Sequence, residues 1–306
     1  MAQTARHRWD VVGVGASAVD RVYVLPGSLA GAPPDVKWRI QRHLISCGGQ
    51  VATTLVTCQR LGMTTAYVGT IGSDADAARL RDELERDHVD LAHVVARDAP
   101  QAFAVILVDD RTGERMVLWD RDERLRLTAA DVPTEVIARA RLVHVDDVDI
   151  DASIAAARLA RAANIPVTSD IERASPRAEE LIAAVTCPIF ARPGLVELTG
   201  VDDPERALRK VRRVHSGLLS VTLGPDGAMA LDGDAIVHVP GVAVRAIDTT
   251  GAGDVFRGAF ATAWLEGRST RDVLRLANAA AALSSTRVGA MAGAPTRAEL
   301  EAWLTA

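Results

Sequence analysis

Short β-branched runs alternate along this chain with longer segments whose apolar positions recur every three or four residues. Residues 11–15 read as a buried strand, 54–61 as part of a helix and 64–68 as a strand. Residues 74–86 read as an amphipathic helix with Ala77, Leu80 and Leu84 at helical spacing. Further strands are predicted at 142–145, 165–168, 188–190 and 218–222, separated by helical segments such as 153–163. Repeated β-α alternation with right-handed crossovers implies a mostly parallel sheet flanked by helices on both faces, an α/β architecture.

Two stretches break that rhythm. Residues 21–25 and 38–45 are strand-like with no helix between them, and 102–108 join 115–119 through the turn Asp109-Asp110-Arg111-Thr112-Gly113. The pattern predicts a small inserted β-sheet, residues 16–47 and 100–120, on a large α/β domain formed by 1–15, 48–99 and 121–306. Such a sheet can cover a cleft as a lid, and two immobile edge hairpins would give the same pattern. Its exposed strand edges suit pairing with a second copy, so a homodimer through the lid is expected.

With 306 residues, 48% hydrophobic and 25% charged, the chain has the composition of a globular protein with a sizeable core. A net charge of −5 and 4% aromatic residues argue against a nucleic-acid partner. Only Lys37 and Lys210 are lysines, and neither follows a Gly-rich loop in P-loop spacing, which excludes P-loop NTPases. Cys47, Cys58 and Cys187 form no C-x-x-C pair, as expected of a reducing compartment, and the cytoplasm is the expected location. Arg6 and Arg8 before an apolar run ending at Val19 resemble a secretory signal, but Asp10 interrupts it and cleavage would remove the first core strand. No apolar stretch is long enough to span a membrane as a helix.

The segment with most chemistry is Asp248-Thr249-Thr250-Gly251-Ala252-Gly253-Asp254, followed by the helical period Val255 to Trp264. Small residues allow close backbone approach, and the free N–H groups of a helix start form an anion site. Asp254 lies at that start, where a carboxylate can cap the helix or act as a base beside the bound anion. Arg257, one turn later, suits either a phosphate or anionic substrate, or an ion pair within the fold. Asp147, Asp149 and Asp151 mimic the first ligands of a calcium loop, but Ala152 and Arg158 stand where the turn glycine and bidentate glutamate belong, so the motif fails and the segment reads as a strand-end loop near the substrate or as plain solvated acidity. The seven histidines show no zinc-ligand spacing.

The segment 248–254 with the following Phe256-Arg257-Gly258-Ala259 resembles the C-terminal signature of the ribokinase-like, or phosphofructokinase-B type, carbohydrate kinases. Gly48-Gly49 with Ala52 and Arg60-Leu61-Gly62 is similar to that family's N-terminal signature, and residues 68–74, 221–227 and 277–295 resemble further motifs in order. The resemblance implies a ribokinase-like fold and phosphorylation of a sugar hydroxyl by ATP with Mg²⁺. Asp254 would be the base in a catalytic loop with Gly251, Ala252 and Gly253, and the backbone N–H groups of Ala252, Gly253 and Asp254 would form the anion hole. It implies sugar contacts from Asp20, Gly48, Gly49 and Thr53, and nucleotide contacts from Thr222, Gly224, Gly227 and Asn278. Asp248, Thr250 and Gly289 match the place where relatives hold a monovalent cation, K⁺.

Two positions depart from the family pattern. Thr53 replaces the usual asparagine of the Gly-Gly signature, and Ala191-Arg192-Pro193-Gly194 replaces the Asn-x-x-Glu motif that organises Mg²⁺. Both departures, with Phe190 through Leu195, resemble the ketohexokinase and sulfofructose-kinase-like branch, so a ketose is expected rather than ribose. The arginine that a sulfonate would need is missing from 146–151. A nucleoside kinase on the same scaffold is the nearest rival, and a non-catalytic binding module is a third reading. A dinucleotide-binding oxidoreductase is the rival from another class: Gly13-x-Gly15-x-x-Ala18 fits a loose fingerprint but has to open a helix, and Val22 to Pro26 read as strand and turn.

Overall fold

The computed structural model describes residues 7–28, 32–33, 35–112 and 114–305. Arg6, Gly113 of the predicted hairpin turn and positions 29–31 and 34 of the predicted lid lie outside the described residues. An eight-stranded sheet runs in spatial order Ala235–Val239, Ala228–Asp232, Leu219–Thr222, Cys187–Ala191, Val167–Ile171, Ala140–Val145, Trp9–Val14, Thr65–Val68. From Leu219–Thr222 to Thr65–Val68 every neighbouring pair is parallel, and the first two strands are antiparallel. Helices cover both faces, which is why Val11, Val12, Val143, Val167 and Ile189 are all fully buried and the strands read as continuous apolar runs.

The break in the β-α rhythm is a separate four-stranded sheet, in spatial order Arg42–Gly48, Ala18–Leu25, Phe103–Asp109, Arg115–Asp120. It is mixed: Ala18–Leu25 and Phe103–Asp109 run parallel, and the outer strands pair antiparallel. Its cross-strand rows stack Ser46, Asp20, Ala104 and Trp119 in one line, and Leu44, Val22, Ile106 and Val117 in the next. These rows make the lid's inner face.

Strand positions shift in two places. The predicted strand at 38–45 is displaced to Arg42–Gly48, because pairing begins opposite Val24 and ends opposite Ala18. The strand predicted at 165–168 is Val167–Ile171. Its last residues include Ser169 and Asp170, polar yet fully buried, so an apolar pattern stops short of the real strand end. Ala18 continues into a strand instead of a helix, which removes the structural context that the dinucleotide fingerprint requires.

Candidate active site

Gly251 takes the N-cap position of the helix Ala252–Leu265 with a left-handed backbone, φ 74°. A side chain there would drive its Cβ to 2.5 Å from Ala290 Cβ, so the turn needs glycine twice over. Asp254 is therefore in the first turn, and it makes no capping bond to the helix. The N–H of Ala252 closes a turn onto Thr249 O at 3.2 Å. Among the described residues the N–H groups of Gly251, Gly253 and Asp254 find no partner at this helix start and remain available to an anion.

Asp254 is 8% exposed and faces a cavity of about 550 Å³ roofed by the lid. Asp20 and Gly49 line the same cavity, together with Thr250, Gly251 and Gly253. Burial, followed by the nearby charges of Glu172 and Asp20, pushes the Asp254 carboxyl up to about 8 against the lowering effect of Arg257. Asp20 is no solvated turn residue: it sits mid-strand, 6% exposed, and burial with the Asp248 charge pushes it up to about 7. Gly48 lies against it, since a Cβ at 48 would stand 2.3 Å from Asp20 Oδ2. Gly49 caps the helix Gln50–Arg60 at φ 96°, and its Cβ would strike Ser17 Cα at 2.5 Å. Thr53, one turn on, is fully buried with its hydroxyl unpaired, and it does not line the cavity.

The other assigned residues fall into two groups. Asp248 gathers Thr250 and Gly289, accepting their N–H groups at 2.9 Å on its two oxygens, while Thr250 Oγ1 is buried and unpaired. Thr222, Gly224, Gly227 and Asn278 lie outside the acceptor cavity. The Asn278 amide donates to Val239 O and Pro240 O at 3.0 and 3.2 Å, and a Cβ on Gly227 would reach 2.2 Å from Val239 O. Pro225, in the turn between Gly224 and Gly227, borders a second depression of about 1030 Å³ with Thr249 and Arg115. Arg115 and Val117 line both concavities, which adjoin at the lid.

Sequence reasoning offered the acidic loop of Asp147 as a strand-end loop near the substrate and singled out none of the other lining residues that follow. Trp119 and Phe103 come from the lid, Asp147 and Val148 from the loop after Ala140–Val145, and Glu172 and Arg173 from the loop after Val167–Ile171. Arg173 stacks over the Trp119 ring at 5.9 Å, joining body to lid. No motif marks these residues; their only signal is that they follow strand ends, where open α/β sheets bind ligands. Arg257 is 1% exposed and pairs with the fully buried Asp170 at 2.5 Å, so of its two readings the internal ion pair holds. His144, buried beside this pair with Nδ1 2.9 Å from Thr168 Oγ1, is held down at about 3 by burial first and by Arg257 second, and stays neutral.

Mg²⁺, implied by the resemblance, meets a donor set that fits it. Carboxylate oxygens of Asp170, Glu172 and Asp254 lie within 4.8 Å of one another. Both oxygens of Asp170 are buried without a hydrogen bond, since Arg257 stands close but off the bonding line. Bound there, Mg²⁺ would offset phosphate charge and polarise a phosphoryl oxygen.

A model of the family described as pfkB family carbohydrate kinase matches residues 10–297. The chain is 30% identical to fructokinase-1 of Oryza sativa subsp. japonica, over 95% of this chain and 96% of that protein. A protein of Agrobacterium tumefaciens described as a ribokinase candidate superposes with TM-score 0.88 at 29% identity, covering 97% of this chain and 98% of that one. The Arabidopsis thaliana ribokinase solved with ribose and ATP has the same fold, with TM-score 0.81 at 23% identity over 97% and 99% of the two chains.

Proposed function

Because the chain belongs to the pfkB family of carbohydrate kinases, phosphotransferases that bind ATP, we propose that it transfers the γ-phosphoryl group of ATP to a hydroxyl of a ketose or related small sugar. The observation that carries this reading is one cavity holding a buried carboxylate, Asp254, beside the free N–H donors of Gly251, Gly253 and Asp254 and sharing its lining with the carboxylate of Asp20. In its ionised form Asp254 takes the proton of the attacking hydroxyl, while the N–H groups of Gly253 and Asp254 stabilise charge on the transferring oxygens. Asp20, with Gly48 and Gly49 allowing close approach, accepts hydrogen bonds from the sugar's other hydroxyls. Thr53 acts from behind this wall, shaping the helix start.

The turn of Gly224 and Gly227 with Thr222 borders the nucleotide, and Asn278 holds the strand end that shapes the base pocket. Asp248, Thr250 and Gly289 form a site for K⁺, supported by the unpaired hydroxyl of Thr250. The ketose preference rests on Thr53 and on 191–194, which depart from the ribokinase pattern, and on the likeness to a fructokinase. Met116 and Leu118 on the outer lid strand are exposed, which supports a homodimer through the lid. Among the described residues no helix is long and apolar enough to cross a membrane.

The test is Asp254→Asn, assayed by coupled ADP release with ketoses, aldoses and nucleosides. The variant keeps its affinity for ATP and loses about 10²–10⁴ in kcat, the usual contribution of a positioned base. Near-normal turnover would overturn the assignment, and turnover by the wild type only with nucleosides would favour the rival acceptor class.

A further inference from the structure

We propose that Glu172, backed by Asp170, holds the divalent cation in place of the carboxylate missing at position 194. The inference rests on the kinase reading of this site and concerns which residues of this chain carry the metal. Four observations support it.

Position 194, which lacks the carboxylate that the resemblance implies, and the loop that carries Glu172 are in contact. Gly194 lies on the helix Arg192–Thr199, and a Cβ built on it would stand 2.5 Å from both C and O of Glu172. The backbone of Glu172 therefore occupies the space that a side chain at 194 would need. A glutamate could not stand at 194 without expelling this loop, so the glycine at 194 is what allows Glu172 its present place.

The loop is also fixed. Asp147 Oδ2 accepts the N–H groups of Glu172 and Arg173 at 2.8 and 3.0 Å, and Glu197 Oε2 accepts that of Ala174 at 3.0 Å. Two carboxylates from other elements thus hold three successive backbone groups, and metal ligands need such preorganised support. The Glu172 side chain itself is exposed, makes no hydrogen bond or ion pair among the described residues, and lines the cavity of Asp254.

Behind it, Asp170 is fully buried with both oxygens lacking a hydrogen bond. Arg257, paired with it at 2.5 Å, offsets its charge without a well-aligned hydrogen bond, and a second cation at the mouth of the cluster would give these oxygens a ligand. Charge counting agrees: when all are ionised, Asp170, Glu172 and Asp254 carry three negative charges against the charge of the paired Arg257, leaving a deficit that one divalent ion fills. Mg²⁺ is usually bound through one or two carboxylates plus substrate phosphates, and Asp170 with Glu172 supplies that number while leaving Asp254 for the proton.

The experiment measures metal binding, not turnover. Mn²⁺ is titrated by electron paramagnetic resonance into the full chain saturated with ADP. Glu172→Gln is expected to weaken Mn²⁺ binding by about 10–100-fold, and Glu179→Gln, an exposed carboxylate on the helix Ala178–Ala184, leaves it unchanged. Glu172→Cys is expected to shift preference from Mn²⁺ toward the softer Cd²⁺, relative to a wild type whose three cysteines are buried. Mn²⁺ binding by Glu172→Gln within twofold of wild type would overturn the proposal, as would a cysteine variant with unchanged preference. If the glutamine variant loses affinity by misfolding, the gain of Cd²⁺ affinity still decides. Asp254→Asn losing turnover while Glu172→Gln binds Mn²⁺ normally would refute the metal site and leave the base standing; the converse would refute the base alone.

Discussion

Arg257→Leu removes the single cation from the buried cluster beneath the base. The guanidinium is 1% exposed and its partner Asp170 is 0% exposed, 2.5 Å away, so solvent cannot take over either charge. Breaking a buried pair by deleting one partner costs about 3–5 kcal/mol, because the other charge stays buried and uncompensated. With an unfolding entropy of roughly 2.1 cal/mol/K per residue over 306 residues, each kcal/mol moves the midpoint by about 1.6 °C, so the melting temperature should fall by about 5–8 °C at pH 8. Asp170 has one escape, protonation, and burial already pushes its carboxyl well above the ordinary range, with Arg257 opposing and Glu172 and Asp254 adding to the rise. A carboxyl raised in the folded state favours folding when it carries its proton. That contribution is fully present below the unfolded value near 4 and is lost as pH rises through the folded one. The deficit of Arg257→Leu against wild type should therefore be small at pH 5 and grow toward pH 8. Scanning calorimetry in metal-free buffer at pH 5, 6.5 and 8 reads this directly. Adding Asp170→Asn should recover most of the loss at pH 8, since no unpaired charge is then buried. An equal loss at every pH, together with a double variant no more stable than Arg257→Leu, would refute the reasoning.

Two further outcomes are expected. Because Asp20 is raised to about 7 by burial first and the Asp248 charge second, its acceptor form is lost as pH falls through 7. KM for sugar should rise from pH 8 to pH 6 while KM for ATP stays flat, Asp20→Asn should abolish that limb, and a parallel rise for both substrates would contradict the placement. For the lid, hydrogen exchange with and without sugar should show new protection in Ala18–Leu25 and Arg115–Asp120, while the helix Arg297–Thr305 is unchanged; uniform protection, or none in either strand, would count against closure.

The apolar rhythm by itself determined the α/β layering, because a strand buried on both faces reads as a largely continuous apolar run, as 11–14 and Cys187–Ala191 do. It also marked the inserted sheet, since two strand-like runs without a helix between them cannot join a parallel sheet. The glycine-rich run before Asp254 was legible for a local reason: a helix start, a left-handed N-cap and a free anion site all lie within seven consecutive residues. What only the tertiary structure decided depends on residues far apart in the chain. Glu172 meets Gly194, Arg257 meets Asp170, and Trp119 meets Arg173, each across a strand order that no local pattern encodes. The strand ending in Ser169 and Asp170 was misplaced because its polar residues are buried for the site's sake, against the apolar pattern from which a strand is read. Periodicity reports which face is dry; where the dry face carries charge for chemistry, only the assembled neighbours show what holds that charge in place.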